Sequence, residues 1–468
     1  MSLSGAMGIG GADPSLTFRF VVTSKLAQCC PYEHRGSNLR RGSGMTKETA
    51  ETPVVRLPWA GKMIGVEEVE ETLSYFWRMS ADNVRISQNM NVRTSVLNFV
   101  ICARDIPSAQ RASALLRDLA STHIARVILL ILDTSAESPT TVTTWVTLRS
   151  FPIISDIMRH SFEQVTMLTS GAATRASATL IQPLLKPDLP VYLWWLGDPP
   201  EDETILRKLT DLSSRVIVDS NSFLAPEQSI SSLSTFLQES PDCALSDLNW
   251  GRITAWRQLV AQFFDVPAYK PYLAGVYNIE VEHVVPPATD QVSNEQEGIS
   301  PNPTRALLLA GWLKNSLNWK VNGGEENLHD PVNGTHLWNI VRQTGPLQWD
   351  ETLTGQQQTA KLGHSGQGSI HIQPRLQSGL PPGSLCLIRL SSIVENKRAT
   401  FTINREGGSD HVLTSANVPE EERALPQRTV SITEPNNISL LLHDELEIIG
   451  RDHLYEAALH EVFELLAE

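Results

Sequence analysis

Basic residues and cysteine are both scarce in this chain. Across 468 residues, 38 Lys and Arg stand against 52 Asp and Glu, a formal charge of −14. That balance excludes the basic footprint that nucleic-acid or anionic-membrane binding requires. The five cysteines, Cys29, Cys30, Cys102, Cys243 and Cys386, are too few and too scattered for a disulfide scaffold or a structural zinc site, and no CxxC pair occurs. A reducing, cytoplasmic compartment is the expectation, with Cys102 and Cys386 as buried thiols inside apolar strand-like runs. No apolar run approaches the roughly 18 residues of a membrane span.

The common catalytic signatures are missing too. There is no GxxxxGK[ST], HExxH or GxSxG, and no GxGxxG at a strand-to-helix turn. The Gly363 to Gly368 stretch, GHSGQG, lacks a P-loop lysine, and Gly8-Ile9-Gly10-Gly11 lies in the N-terminal leader. His453, Glu456 and His460 have metal-like spacing, but their acidic neighbours Glu461 and Glu464 read as a solvated helix face. No catalytic residue, metal or cofactor is assigned.

What is present centres on Pro190 to Pro200, PVYLWWLGDPP. An apolar run closed by Gly and Pro reads as a buried strand. Neighbouring strand residues point to opposite faces, so Trp194 and Trp195 need separate cover, one from the core and the other from a helix, a domain or a partner. Around this strand, apolar runs and helical patterns alternate. An amphipathic helix starts at Val66, and Asn98 to Ala103 reads as a strand. Pro107 to Ser121 is a helix, Ala125 to Leu132 and Val142 to Leu148 are strands, and Gln164 to Leu168 is a short one. Ala172 to Leu185 and Glu201 to Leu212 are helical, and Arg215 to Asp219 is a strand. This interleaving implies βαβ units and a largely parallel sheet.

Later the pattern changes. Asp247 or Asn249 can cap a helix running to Asp265, with Ile253, Trp256, Leu259, Val260 and Phe263 on its apolar face and Trp250, Arg252 and Arg257 off it. Tyr272 to Val284 is a strand and Thr304 to Leu317 a helix. Leu347 to Leu353, Ser369 to Gln373, Leu385 to Leu390, Thr400 to Asn404 and His411 to Leu413 are short strands between Gly- and Pro-bearing turns. The expectation is therefore a leader over 1–51, an α/β domain over 52–238 with a largely parallel sheet, and an α+β domain over 239–468 with a mainly antiparallel sheet and an exposed loop at 285–303. The leader is transit-peptide-like in composition, but Met45 is the natural start and no apolar targeting core precedes it.

Two functional readings follow from the residues. Asp133, Asp198 and Asp219 each follow an apolar strand, which could place them at the carboxyl edge where open α/β sheets bind ligands. An enzyme or small-ligand protein would use them there; the plainer explanation is the preference of Asp for helix N-caps. Arginine beside tryptophan, as at Trp250, Arg252 and Arg257, suits a protein interface or a stack at the core edge.

PVYLWWLGDPP, the later Asp219-Ser220, DLNWGRITAWRQLVAQFFD and the opening TPVVRLPWAGKMIGVEEVEETL together resemble the OpcA family, the glucose-6-phosphate dehydrogenase assembly proteins, in its cyanobacterial branch. The resemblance implies a non-catalytic protein that binds glucose-6-phosphate dehydrogenase and activates it allosterically, supporting the pentose phosphate pathway and NADPH supply. It assigns the partner-binding motif to Trp194, Trp195, Asp198, Pro199, Asp219, Ser220, Asn249, Trp250, Arg252, Trp256 and Arg257. Redox regulation through thioredoxin also belongs to that branch. Here Cys386 stands alone in its region, so a weakened or absent disulfide switch is expected, with Cys243 as its possible partner.

Overall fold

The computed structural model describes residues 61–467 apart from 88–89, 93–94, 120–124, 136–137, 155–157, 201–202, 286–301, 323–326, 331–333, 343–365, 406, 408–409, 419–426 and 433–436. The leader, Cys29, Cys30, the expected strand Leu347 to Leu353 and most of the 285–303 loop lie outside the described residues.

The first half builds one nine-stranded mixed sheet. Its strands are β1 (Lys62–Ile64), β2 (Met90–Val92), β3 (Leu97–Ala103), β4 (Ala125–Asp133), β5 (Thr141–Ile154), β6 (Met158–Ser170), β7 (Val191–Trp195), β8 (Arg215–Val218) and β9 (Ala244–Asp247). The order is β1-β5-β6-β4-β3-β7-β8-β9, with β2 on β6. From β6 to β9 every pairing is parallel; β1 with β5 and β5 with β6 are antiparallel. The helices are α1 (Val69–Ser87), α2 (Ile106–Leu119), α3 (Ser177–Ile181), α4 (Glu203–Thr210) and α5 (Pro226–Glu239).

A sheet buried on both faces needs strands apolar at nearly every position, and β3 and β4 have them. Val100 and Cys102 enter one core cluster while Phe99, Ile101 and Ala103 enter the other. The two indoles of β7 divide in the same way. Trp195 joins the larger cluster and Trp194 the smaller, where it stacks on Phe99 with ring centroids 6.3 Å apart. The sequence expectation of opposite faces holds, and the second indole's cover comes from helices of this chain.

The second sheet also has nine strands and is mixed, ordered β11-β13-β14-β10-β15-β16-β17-β18 with β12 on β13. They are β10 (Val276–Val285), β11 (Trp319–Val321), β12 (Leu328–Asp330), β13 (Thr335–Arg342), β14 (Gln367–Leu376), β15 (Leu385–Val394), β16 (Lys397–Arg405), β17 (His411–Asn417) and β18 (Arg428–Ser431). Only β10 with β14 is parallel among these described pairings. Between and after the sheets lie α6 (Leu248–Arg252), α7 (Thr254–Asp265), α8 (Lys270–Ala274), α9 (Thr304–Ser316), α10 (Ile438–Glu447) and α11 (His453–Ala467).

The chain then returns to its beginning. Helix α10 packs on α2 and α6, and its Leu441, Leu442 and Leu446 complete the cluster that holds Trp194. Trp59 to Glu468 accordingly forms one compact unit. No helix among the described residues is long and apolar enough to cross a membrane.

Several elements differ from their sequence reading. Strand β6 is longer than Gln164 to Leu168 because its antiparallel pairing with β5 satisfies backbone groups regardless of side-chain polarity. The helix expected from Asp247 to Asp265 breaks at Ile253 (φ −90°, ψ 4°), so α6 and α7 face different neighbours. Helix α5 carries Ser229 and Ser234 at buried positions, which dilutes the apolar period that announces a helix.

Candidate functional site

The carboxyl ends of β7, β8 and β9 each deliver an aspartate, and each carboxylate is taken by a different set of donors. Asp198 accepts the backbone N–H groups of Leu224 (3.0 Å) and Ala225 (3.2 Å) and the Ser229 hydroxyl (2.7 Å), so it caps α5 from outside that helix. Its own carbonyl accepts from Trp195 Nε1 at 2.9 Å, which fixes the Gly197-Asp198-Pro199 turn. Gly197 has φ +80°, a conformation open to glycine at little cost. Asp247 accepts from the Ser220 and Asn249 amides at 3.0 and 2.9 Å. Burial, with Asp219 nearby, pushes the Asp247 carboxyl up to about 6 despite those donors. Asp133, at the end of β4, is held by its own loop through the Ser135 amide (3.1 Å) and the Ser138 hydroxyl (2.7 Å). The three aspartates singled out in the sequence thus serve local caps and an ion pair, not one shared pocket.

Asp219 anchors the most connected part of the structure. Arg252 donates to both its oxygens, at 2.6 and 2.9 Å, in a buried bidentate pair. Asn249 Oδ1 accepts from Arg305 Nε at 2.9 Å, and Arg305 also donates to Ser384 Oγ and Asn221 Oδ1, both at 3.1 Å. Asn302 Nδ2 donates to the Ser220 carbonyl at 3.0 Å. Residues from the turn after β8, from α6, from the start of α9 and the residue before it, and from the turn before β15 therefore form one polar seam between the two sheets. Such a network fixes relative position, because every partner lost leaves a buried group unpaired.

Beside this seam Trp250 is held on three sides. Its Nε1 donates to Asp452 Oδ2 at 2.8 Å, Tyr455 lies 5.7 Å from it centroid to centroid, and the Arg257 guanidinium sits 3.6 Å over the ring. Burial draws Arg257 down to about 10, opposed by Asp452. Arg215 reaches across from β8 to the Ile448 carbonyl (3.1 Å) and the Gly450 carbonyl, clasping the returning chain. Glu445 of α10 lies 3.9 Å from Arg215, and burial pushes its carboxyl up to about 7.

The sequence-predicted motif residues thus converge, but inside the protein. Trp194, Trp195, Trp250 and Trp256 are at most 4% exposed, and Asp219, Ser220, Asn249 and Arg252 are buried with them. Their cover comes from α10 and α11, which fold back over the sheet end, a long-range cover that local periodicity does not encode. Trp256 lies in the same larger cluster as Trp195 and Trp250, with Arg405 5.3 Å over its ring. Pro199 is half-buried at the rim of a cavity of about 30 Å³ lined also by Pro200, Leu206 and Phe236. That volume holds roughly one water.

Cys102, Cys243 and Cys386 are unpaired buried thiols. Cys386 Sγ donates to Gln377 Oε1 at 3.3 Å, and burial pushes the thiols of Cys243 and Cys386 up to about 11. Both remain thiols, not thiolates, at neutral pH. On α11, His453 and His460 are mostly exposed and sit 3.6 Å from Glu456 and Glu464 respectively, but the expected solvated face holds only in part, because Glu461 and Glu464 pair with the buried Lys314.

One cluster escaped the sequence reading. Glu227 of α5 meets His329 and His336 of the β12–β13 hairpin, with His329 Nε2 2.6 Å from Glu227 Oε2. Asn333-Gly334 between two histidines is a hairpin signal, but a two-residue turn there would set His329 opposite Trp338; the observed register pairs His329 with His336. No sequence signal joins them to Glu227, which lies 102 residues from His329.

Comparison with known proteins bears on the same elements. Residues 116–235 match the family described as glucose-6-phosphate dehydrogenase subunit N-terminal domain, and 243–459 the corresponding C-terminal domain. The chain is 24% identical over 307 residues to a protein of Nostoc punctiforme named as OxPP cycle protein OpcA, covering 64% of this chain and 56% of that one. A protein of the same name from Synechococcus elongatus is 27% identical over 306 residues, covering 64% and 58%. The matches span little more than half the length of these relatives. Among solved structures, an NAD-binding oxidoreductase from Klebsiella pneumoniae aligns with a TM-score of 0.38 at 9% identity, over 78% of this chain and 88% of that one.

Proposed function

This chain belongs to the glucose-6-phosphate dehydrogenase subunit family, the OpcA family, and from that we propose that it is a non-catalytic assembly factor and allosteric activator of glucose-6-phosphate dehydrogenase. By this route it supports the oxidative pentose phosphate pathway and the supply of NADPH. The observation that carries the reading is the extent of the family match, which takes in β4 to β9 of the first sheet, the strands of the second and the residues of the polar seam between them. To activate, the protein must bind the active state of the dehydrogenase more tightly than the inactive one, and a coupling of about 1–3 kcal/mol changes substrate affinity several-fold to a hundredfold.

In this reading the buried motif residues hold the contact surface in place and do not form it. Leu224 suits the surface itself: it is 84% exposed, while its backbone N–H is pinned to Asp198 at 3.0 Å. A rigidly presented apolar side chain loses little entropy on binding. Control by thioredoxin through Cys386 is disfavoured by the burial and protonation of that thiol.

The test is dehydrogenase activity at low glucose 6-phosphate, titrated with this protein in the presence and absence of reductant. A saturable rise, unaffected by reductant and weakened by Leu224→Asp at unchanged Tm, is expected. No rise, together with no complex in size-exclusion chromatography, overturns the reading.

A further inference from the structure

We propose that Glu227, His329 and His336 bind one divalent transition-metal ion of the zinc class, joining helix α5 to the β12–β13 hairpin. Their candidate ligand atoms all lie within 4.8 Å of one another. His329 and His336 are direct cross-strand partners, and Glu227 comes from the first turn of α5, beside the first sheet. Two imidazoles and a carboxylate suit zinc among the divalent metals, with water completing the coordination.

The proton count makes the case. Three contacts close a ring: His329 Nε2 to Glu227 Oε2 at 2.6 Å, His336 Nδ1 to His329 Nδ1 at 3.0 Å, and His336 Nε2 to Glu227 Oε1 at 3.5 Å. Two neutral imidazoles carry one N–H proton each, so two protons serve three contacts. If His329 Nε2–H donates to Glu227 and His336 Nδ1–H donates to His329, the lone pair of His336 Nε2 faces a carboxylate oxygen. The opposite tautomers place the His329 Nε2 lone pair against Glu227 Oε2 at 2.6 Å, which is worse. With both protons on Nε2 the two Nδ1 lone pairs face each other at 3.0 Å, so every neutral arrangement leaves one contact without a proton, a deficit that calls for a positive centre among the three side chains.

His336 Nε2 shows that requirement independently. The residue is 1% exposed and this nitrogen has no hydrogen-bond partner, a costly arrangement in a protein interior. The ring is fixed by stacking on Trp338, 5.3 Å centroid to centroid and 13° from parallel. His329 is different: its side chain is 39% exposed, which gives an ion access and lets the imidazole turn a nitrogen toward it. One ligand is thus rigid and preorganised, while the other closes over the ion.

The experiment uses the full-length protein, stripped with chelator, dialysed and titrated with zinc chloride by calorimetry, with Tm followed in parallel. One zinc per chain and a raised Tm are expected, since an ion bound only by the folded state stabilises it. Glu227→Gln and His329→Ala should each weaken uptake by about tenfold or more. His329→Ala should leave the Tm of the zinc-free protein unchanged, which keeps the test clear of misfolding. Absence of zinc uptake would mean that a proton supplies the missing charge, and uptake undiminished in both variants would place the ion elsewhere. Either result overturns the proposal.

Discussion

Arg252 and Asp219, 33 residues apart, meet through two nearly equal N–H···O bonds of 2.6 and 2.9 Å, with side chains only 4% and 11% exposed. Removing one member of such a pair strands the other charge. Arg252→Ala is therefore expected to cost about 3–5 kcal/mol in urea unfolding. Arg252→Lys should recover little of it, because an ammonium cannot reproduce the planar fork. A loss under 1 kcal/mol for Arg252→Ala would show that the pair is not desolvated in solution.

Trp250 tests whether the tryptophan motif is interior. If it formed an exposed contact, truncation would leave the fold intact. Its place between Arg257, Tyr455 and Asp452 implies instead that Trp250→Ala lowers stability by about 3–5 kcal/mol. Trp250→Phe keeps the ring but loses the Nε1–H bond to Asp452, and should cost roughly 1–3 kcal/mol. Chemical denaturation monitored by far-UV circular dichroism distinguishes the two outcomes.

These residues also show where the sequence was informative. Period-two alternation sufficed to place Trp194 and Trp195 on opposite faces, since a strand allows nothing else. Asp247 was readable as a cap from its position before an apolar period, and it accepts the Asn249 amide. Burial of Trp250 was not readable. The break at Ile253 removes Trp250 from the face of α7, and its cover comes from Asp452 and Tyr455, about 200 residues later, as the hydrogen bond to Asp452 spans 202 positions. The serines of α5 hid a helix, and with it the only element that could bring Glu227 to the histidines. Local rules predicted elements; the seam depends on which distant elements meet.

Close packing of α9 on α11 gives a prediction opposite to helix propensity. Gly311→Ala in an unconstrained helix would gain about 1 kcal/mol. Here the added Cβ would lie 2.4 Å from the Ala458 carbonyl oxygen and 2.7 Å from Val462 Cγ2. One turn further along, Lys314 is fully buried and pairs with Glu461 and, at 2.7 Å, with Glu464, so the helices cannot simply part. A net loss of about 1–3 kcal/mol is expected. A raised Tm for Gly311→Ala would contradict the close approach.

Glu445 should make stability depend on pH. Burial is the largest cause of its raised carboxyl pKa; Asp247 and Asp452 add to it, while Arg215 and a hydrogen bond with Ser246 oppose it. The folded group titrates near 7, against an ordinary value of 4.5. Between those values the folded state holds a proton that the unfolded chain has released, so the contribution is complete below about 4.5 and is lost as pH rises through 7. Glu445→Gln mimics the protonated form and removes that loss. The variant should match the wild type at pH 4 and exceed it at pH 8 by on the order of 2–3 kcal/mol. Asp247, raised to about 6, acts with the same sign and leaves a smaller decline in the variant at lower pH. Urea unfolding at the two pH values separates these contributions. If the wild type were instead the more stable protein at pH 8, the charged Arg215–Glu445 pair would outweigh the desolvation of Glu445, and the clasp on α10 would be ionic at neutral pH.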